Sequence, residues 1–299
     1  MSKPLLLGLV GPTASGKTAL SMQLARRHDM EIVCMDSMQV YRGMDIGTAK
    51  PTLEEQRRLP HHMLDVADPR EPYSVAEYRE AAAQAIDGIL KRGCLPVLVG
   101  GTGLYLRALS LPLSLGGTSR QDEVREKYEA VLQRDGKEAL HALLANRDPE
   151  TALRLHPNDT RRVIRALEVW EVTGVPFSRQ QMPRVEDGPY DLRLFAMDLP
   201  RGELYQRIEE RVDLMLKDGL IDEVESLLRH GVPPDAQAMQ GLGYKELVPV
   251  LRGETPLEDA VVLLKQRTRN YAKRQLTWFN KDKRIRWLKD AKDLRWEEP

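Results

Sequence analysis

The chain has 299 residues, 41% of them apolar and 30% charged; it can bury more than one average core, and this balance excludes a disordered or membrane-embedded chain. Its 45 basic and 45 acidic residues cancel, so net charge selects no anionic partner and only local segregation can. Cys34 and Cys94 are the only cysteines, far apart and without metal-ligand spacing, which excludes a disulfide framework and a zinc site, fits a reducing cytoplasm and marks both as small core residues.

The first apolar run, Leu5-Leu6-Leu7-Gly8-Leu9-Val10, reads as a strand buried on both faces of a parallel sheet. It is too short to span a bilayer and leads into a glycine-rich loop rather than a cleavage site, so neither a membrane anchor nor export is expected. Helical spacing follows over Thr18–His28, through Leu20 and Leu24, and Glu31–Met35 is again β-like and stops at Asp36. This β-loop-α-β order opens a doubly wound α/β domain. Ser74 and Glu77 have capping-box spacing, each able to satisfy a backbone N–H that a helix start leaves open. Val75, Tyr78, Ala82, Ile86 and Ile89 mark one face of that helix, and Gly93 ends it. A third buried strand, Leu95–Val99, runs into Gly100-Gly101-Thr102-Gly103. In open parallel sheets ligands bind beyond the carboxyl ends of the strands, so the site is expected where these loops meet.

Strand signals cease between about Leu111 and Tyr190, where helices are predicted over Gln121–Gln133, Lys137–Ala145, Pro149–Leu155 and Asn158–Thr173. Turn-rich flanks, Leu111–Gly117 and Gly174–Pro189, set this stretch off as a helical insertion. The sheet pattern returns at Leu192–Leu199, followed by helices at Arg201–Lys217 and Ile221–Arg229. A long helix opens at Thr255-Pro256, as N-cap and first helical residue. The predicted fold is α/β: a P-loop NTPase-like core with a mostly parallel sheet over 1–112 and 191–299, carrying a helical insertion domain over 113–190.

Gly11-Pro12-Thr13-Ala14-Ser15-Gly16-Lys17-Thr18 matches the P-loop pattern G-x-x-x-x-G-K-[ST] of nucleotide-binding and ATP-binding proteins, after a buried strand and before a helix. Its glycines let backbone N–H groups turn inward around phosphate oxygens, the helix N-terminus adds its positive end, Lys17 adds a point charge, and Thr18 can hold Mg²⁺. The motif says that a diphosphate is gripped, not what is done with it. Asp36 falls at the ligand edge of the second strand, where a carboxylate can act as a base, organise Mg²⁺-bound water or merely cap the next helix. Arg207 and Arg211 share one helix face, where diphosphate binding competes with salt bridging to Glu203 or Glu210. Between Lys265 and Lys289, cations including Lys273 and Arg274 stand against Asp282 alone, with Tyr271, Trp278, Phe279 and Trp287 interleaved. That is either an RNA-binding combination or a solvated helix with its aromatics in the core. His61 and His62 have no partner ligands and read as structural or surface residues.

The P-loop, Asp36-Ser37-Met38-Gln39-Val40-Tyr41 and Gly100-Gly101-Thr102-Gly103-Leu104-Tyr105 resemble successive motifs of the tRNA dimethylallyltransferase (tRNA isopentenyltransferase) family. So do Pro157-Asn158-Asp159 with Arg161–Glu168, Met239–Glu246 and Arg267–Phe279, in the same order over nearly the whole chain. The resemblance implies transfer of the dimethylallyl group of dimethylallyl diphosphate to N6 of the adenosine 3′ of the anticodon, with Mg²⁺ and release of diphosphate. Under it Asp36 is the base, Thr102 contacts the substrates at the reacting centre, and Arg211 rather than Arg207 binds diphosphate. It further implies tRNA contacts from Asp36, Ser37, Met38 and Gln39, from Arg161, Arg162 and Arg165 in the insertion, from Gly241, Gly243 and Tyr244, and from Lys273 and Arg274. The target adenine must leave its stack to reach such a site. A cytoplasmic, monomeric enzyme without membrane partners is expected. Two other readings remain at this point: a P-loop small-molecule kinase, which the basic, aromatic C-terminal segment disfavours, and a P-loop RNA-binding protein without prenyl chemistry.

Overall fold

The described residues of the computed structural model are 3–111, 122–180 and 188–296. In chain order the first elements are β1 (Leu5–Val10), α1 (Lys17–Ala25), β2 (Met30–Met35), α2 (Leu53–Arg58), β3 (His61–His62), α3 (Val75–Lys91), β4 (Leu95–Gly100) and α4 (Gly103–Ser110). The insertion supplies α5 (Asp122–Arg147), α6 (Pro149–Arg154) and α7 (Thr160–Thr173). The chain returns with β5 (Asp191–Met197), α8 (Arg201–Lys217), α9 (Leu220–Arg229), α10 (Tyr244–Leu251), α11 (Leu257–Phe279) and β6 (Ile285–Leu288).

Among the described residues the strands form one sheet in the order β3-β2-β4-β1-β5-β6, with every pairing parallel. Leu6, Leu7, Leu9, Ile32, Val33, Val97 and Leu98 are almost wholly buried, as continuous apolar strands covered on both faces must be. The register aligns Val10 with Gly100, and Gly100 with Met35. Three central strands therefore end at one level, and the loops that leave them start side by side. Gly100 allows this closeness, because a Cβ there would lie 2.0 Å from the Met35 carbonyl oxygen.

The capping box at Ser74 and Glu77 is formed in both directions, and Tyr78, Ala82, Ile86 and Ile89 are the buried face of α3. Three expectations shift. The long helix starts at Leu257, with the extended Pro256 as its N-cap, one residue later than the Thr255-Pro256 signature implies. The expected strand Leu192–Leu199 runs from Asp191 to Met197. The segment Ile285–Leu288, read as part of a basic stretch, is the edge strand β6 beside β5, with Ile285 and Leu288 buried and Arg286 exposed. Four residues with one outward arginine are too few for alternation to stand out from the surrounding charge.

The chain divides into two compact units, Met1–Ser110 with Pro189–Pro299, and Leu111–Gly188. In the second, α5 is interrupted at Gly136 (φ 85°), which separates the two helices expected over Gln121–Gln133 and Lys137–Ala145. Asp148 caps α6 through the Thr151 N–H and also accepts from the Ser178 N–H. Tyr128, Leu140, Leu144, Val163, Ile164 and Leu167 form a separate small core. Residue 121, where the first insertion helix was expected to begin, and flanking residues 112–117 and 181–187 lie outside the described residues.

The Ser74 cap gives a direct test of how α3 is anchored. Ser74→Ala should lower the free energy of unfolding in denaturant titration by about 1 kcal/mol, and Ser74→Asp should retain it; equal stability of all three proteins would show that the cap contributes nothing.

Candidate active site

The P-loop follows β1 as the sequence places it. Gly11 (φ 130°) and Gly16 (φ 88°) take conformations that glycine reaches without strain, and Ala14 is also left-handed at φ 61°. These turns wind the backbone around a concave centre at the N-terminus of α1. The buried Ser15 hydroxyl has no hydrogen-bond partner among the described residues, as expected of a donor kept for a ligand. Lys17 Nζ folds back onto the Gly11 and Pro12 carbonyl oxygens at 3.1 and 2.6 Å.

Arg211 reaches the loop from α8, donating from Nη1 to Thr13 Oγ1 at 3.1 Å. Arg207, one turn earlier, pairs with Glu203 at 2.6 Å and also borders the cleft. The two arginines left open by their shared helix face thus separate: one is paired with a carboxylate, and the other bonds to the P-loop. Burial pushes the Lys17 ammonium from 10.5 down to about 7, the Arg211 charge pushes the same way, and Asp36 opposes them. Burial also lowers Arg211, against the pull of Asp36. Two buried basic groups, one of them lowered further by the charge of the other, make a prepared anion site.

Asp36 leaves the end of β2 on the other side of the cleft. Its Oδ1 accepts from the Met38 N–H at 2.9 Å, so it holds a turn rather than a helix and keeps Oδ2 without a hydrogen bond among the described residues. Thr102 Oγ1 accepts from the Ser37 N–H at 3.1 Å, while the Thr102 N–H donates to the Met35 carbonyl. The threonine hydroxyl therefore bridges two strand ends and does not cap α4. Gln39 donates its amide to the Thr48 and Ala49 carbonyls. A cleft of about 430 Å³ contains Lys17, Thr18, Asp36, Gln39, Arg211 and Gln275 in its walls.

Two residues absent from the expected site organise it. Gln275, 5% exposed on α11, accepts from the Thr13 N–H and donates to the Gly101 carbonyl, both at 2.9 Å. Tyr271, one turn before it, lies beside Thr102, while burial and the Asp36 charge push its phenol above the usual range. Their spacing of four, inside the Arg267–Phe279 stretch that resembles a family motif, is the signal the sequence offers.

Other expected residues lie differently. Tyr244 is fully buried and donates to Glu223 at 2.6 Å, and Gly241 and Gly243 are buried with it. Tyr244 has no exposed side-chain surface to offer an RNA, and the pair of glycines forms a braced turn rather than a flexible loop, because Gly243 N–H is held by the buried Glu246. In the basic segment, Lys265, Arg267, Arg269 and Arg284 are paired with Asp213, Glu246, Glu209 and Asp282. Phe279 is core, whereas Trp278 is 39% exposed, and Lys273 and Arg274 are exposed with no ion pair among the described residues. Arg161 is exposed on α7, while Arg162 pairs with Asp159 and Arg165 with Glu168. His61 Nδ1–H donates to the Leu59 carbonyl and His62 contacts Glu31. Among the described residues no three His, Cys, Asp or Glu side chains gather as metal ligands. The exposed Thr18 hydroxyl fits a hard cation held mostly by phosphate oxygens and water. No described helix is long and apolar enough to cross a membrane.

A family model described as IPP transferase matches residues 39–282, and one described as isopentenyl transferase matches residues 5–67. The chain is 50% identical over 287 residues to tRNA dimethylallyltransferase 1 of Trichlorobacter lovleyi, covering 96% of this chain and 94% of the relative. It is 49% identical to the tRNA dimethylallyltransferase of Pelotomaculum thermopropionicum, covering 95% and 90%. Among solved structures, the tRNA isopentenylpyrophosphate transferase of Bacillus halodurans superposes with a TM-score of 0.71 at 44% identity, over 99% of this chain and 93% of that one. A eukaryotic dimethylallyltransferase, captured acting on tRNA, superposes with a TM-score of 0.80 at 32% identity, over 99% and 76%.

The lowered Lys17 value fixes a sign. Between about pH 7 and 10.5 the unfolded chain holds a proton on Lys17 that the folded chain lacks, so this group's contribution to stability rises with pH across that window. An anion in the loop reverses the shift. Binding of a diphosphate ester at pH 8 should therefore take up about one proton, read by calorimetry in buffers of different ionisation heat; binding without proton uptake would contradict the assignment.

Proposed function

The chain belongs to the IPP transferase family, and from that premise we propose that it transfers the dimethylallyl group of dimethylallyl diphosphate to N6 of the adenosine 3′-adjacent to the anticodon of tRNA, releasing diphosphate. The observation that carries this reading is the convergence of Lys17 and Arg211 on the P-loop, with the Asp36 carboxylate in the same cleft. The cations suit a leaving group whose negative charge grows as the allylic C–O bond breaks. The loop N–H groups and the Ser15 hydroxyl suit its oxygens. The adenine amine is a weak nucleophile because its lone pair is delocalised, so Asp36 is well placed to accept its proton during attack. Thr102, held by the Ser37 N–H with Tyr271 beside it, orients the reacting groups.

Mg²⁺ is part of the proposal: Thr18 would hold it together with the diphosphate, and when bound it supplies neutralising charge to the leaving group. Lys273, Arg274, Arg161 and the exposed indole of Trp278 suit phosphates and bases of an anticodon stem-loop. The insertion would contribute to tRNA contact through Arg161, with Arg162 and Arg165 beside it. Ser37, Met38 and Gln39 would line the approach of the extruded adenine, and the buried turn at Gly241 and Gly243 would act by supporting Met38, whose sulfur lies against Gly241. The same reading makes the enzyme cytoplasmic and monomeric. The kinase reading finds no support, since the relatives described above are named for prenyl transfer.

Incubation with labelled dimethylallyl diphosphate and unmodified tRNA should place label on the adenosine beside the anticodon, and Asp36→Asn should slow that transfer about 10²–10⁴-fold while tRNA binding persists. Label elsewhere sinks the proposed target, and undiminished turnover removes Asp36 from the role of base. Replacing Lys273 and Arg274 by alanine should weaken tRNA binding most at low salt and flatten the dependence of log K on log salt by roughly one to two; an unchanged slope would mean that neither meets a phosphate.

A further inference from the structure

Gln275 ties together loops that come from opposite ends of the sequence. Its Oε1 takes the Thr13 N–H and its Nε2 donates to the Gly101 carbonyl. Thr13 in turn receives Arg211 through its hydroxyl. The Gly101 carbonyl belongs to the residue immediately before Thr102, whose hydroxyl holds the Ser37 N–H next to Asp36. One buried amide thus lies between the groups that grip diphosphate and the groups that face the reacting centre.

The fit around this amide is tight. A Cβ on Gly101 would stand 2.1 Å from Gln275 Nε2 and 3.1 Å from the Gly11 carbonyl oxygen. Gln275 is 5% exposed, so water is poorly placed to replace either bond, and losing the amide leaves a donor on one loop and an acceptor on the other without partners. Glutamine is suited to the task because it offers one acceptor and one donor from the same planar group, whereas glutamate offers only acceptors.

We propose that Gln275 is a positioning residue, which sets the diphosphate cradle at a fixed distance from Asp36 and Thr102. This inference rests on the function proposed above. Gln275 acts through its bonds to Thr13 and Gly101, and Tyr271 lies beside Thr102 from the same helix. Its loss lets the leaving group and the attacking amine drift apart, and misplacement on the ångström scale reduces rates sharply.

The test compares wild type with Gln275→Ala, Gln275→Glu, Gly101→Ala and the Gln275→Ala/Gly101→Ala pair. The measurements are kcat, KM for dimethylallyl diphosphate, tRNA affinity and affinity for inorganic diphosphate. Gln275→Ala should lower kcat by about 10- to 100-fold with tRNA affinity within about twofold. Gln275→Glu should recover little, because it cannot donate to Gly101. Gly101→Ala, which drives the amide out without removing it, should reproduce the defect, and the double variant should be no worse than either single one. A folded Gln275→Ala enzyme with wild-type kcat and KM overturns the inference; if that variant does not fold, a wild-type rate for Gly101→Ala does so. Inorganic diphosphate affinity separates this failure from that of the proposed function. Wild type that transfers no label but binds diphosphate more tightly than Gln275→Ala removes the reaction and keeps the positioning role, whereas equal affinities in that case overturn both.

Discussion

The parallel alignment of β1, β2 and β4 is the constraint on which the site depends. Val10, Met35 and Gly100 stand at one level, so the P-loop, the Asp36 turn and the Gly101-Thr102 loop all begin within reach of one another. The contact is possible because Gly100 brings no side chain to Met35. A shift of one strand by a residue would reverse the facing of its side chains and separate the cradle from the carboxylate. The burial of these strands on both faces opposes that slip.

On this frame the electrostatics are set before any ligand arrives. Lys17 and Arg211 come from different elements, each reduced in basicity by burial, with the opposing Asp36 near enough to influence both. Holding like charges together in a partly dry cleft costs folding free energy, and an entering diphosphate relieves it. Such a site needs little rearrangement to stabilise a leaving group as its charge develops. C-terminal α11 links this chemistry to the outside: Tyr271 and Gln275 face the loops, while Lys273 and Arg274 face solvent.

The P-loop, Asp36, the strand ends and the capping box at Ser74 were legible because each rests on local rules: a buried apolar run, a glycine pattern and a helix start. The insertion was legible from the loss of strand pattern and the helical spacing that replaced it. What the sequence hid depends on partners distant in the chain. Tyr244 reads as a loop residue, yet Glu223 and the fold around it bury it. The basic segment reads as a uniform cationic surface, yet Lys265, Arg267 and Arg269 meet acids from α8 and α10, and Phe279 turns inward. Gln275 lies 262 residues from Thr13, and no periodicity marks an amide whose two partners are backbone groups of separate loops.

The central claim is that this P-loop holds the diphosphate of an allylic leaving group. It is tested most directly by measuring diphosphate released, adenosine alkylated and ATP consumed in one reaction of enzyme, tRNA, dimethylallyl diphosphate, Mg²⁺ and ATP. The account predicts diphosphate and alkylated adenosine in equal amounts while ATP remains intact. ATP consumption in step with product, or diphosphate release without alkylation, would contradict it.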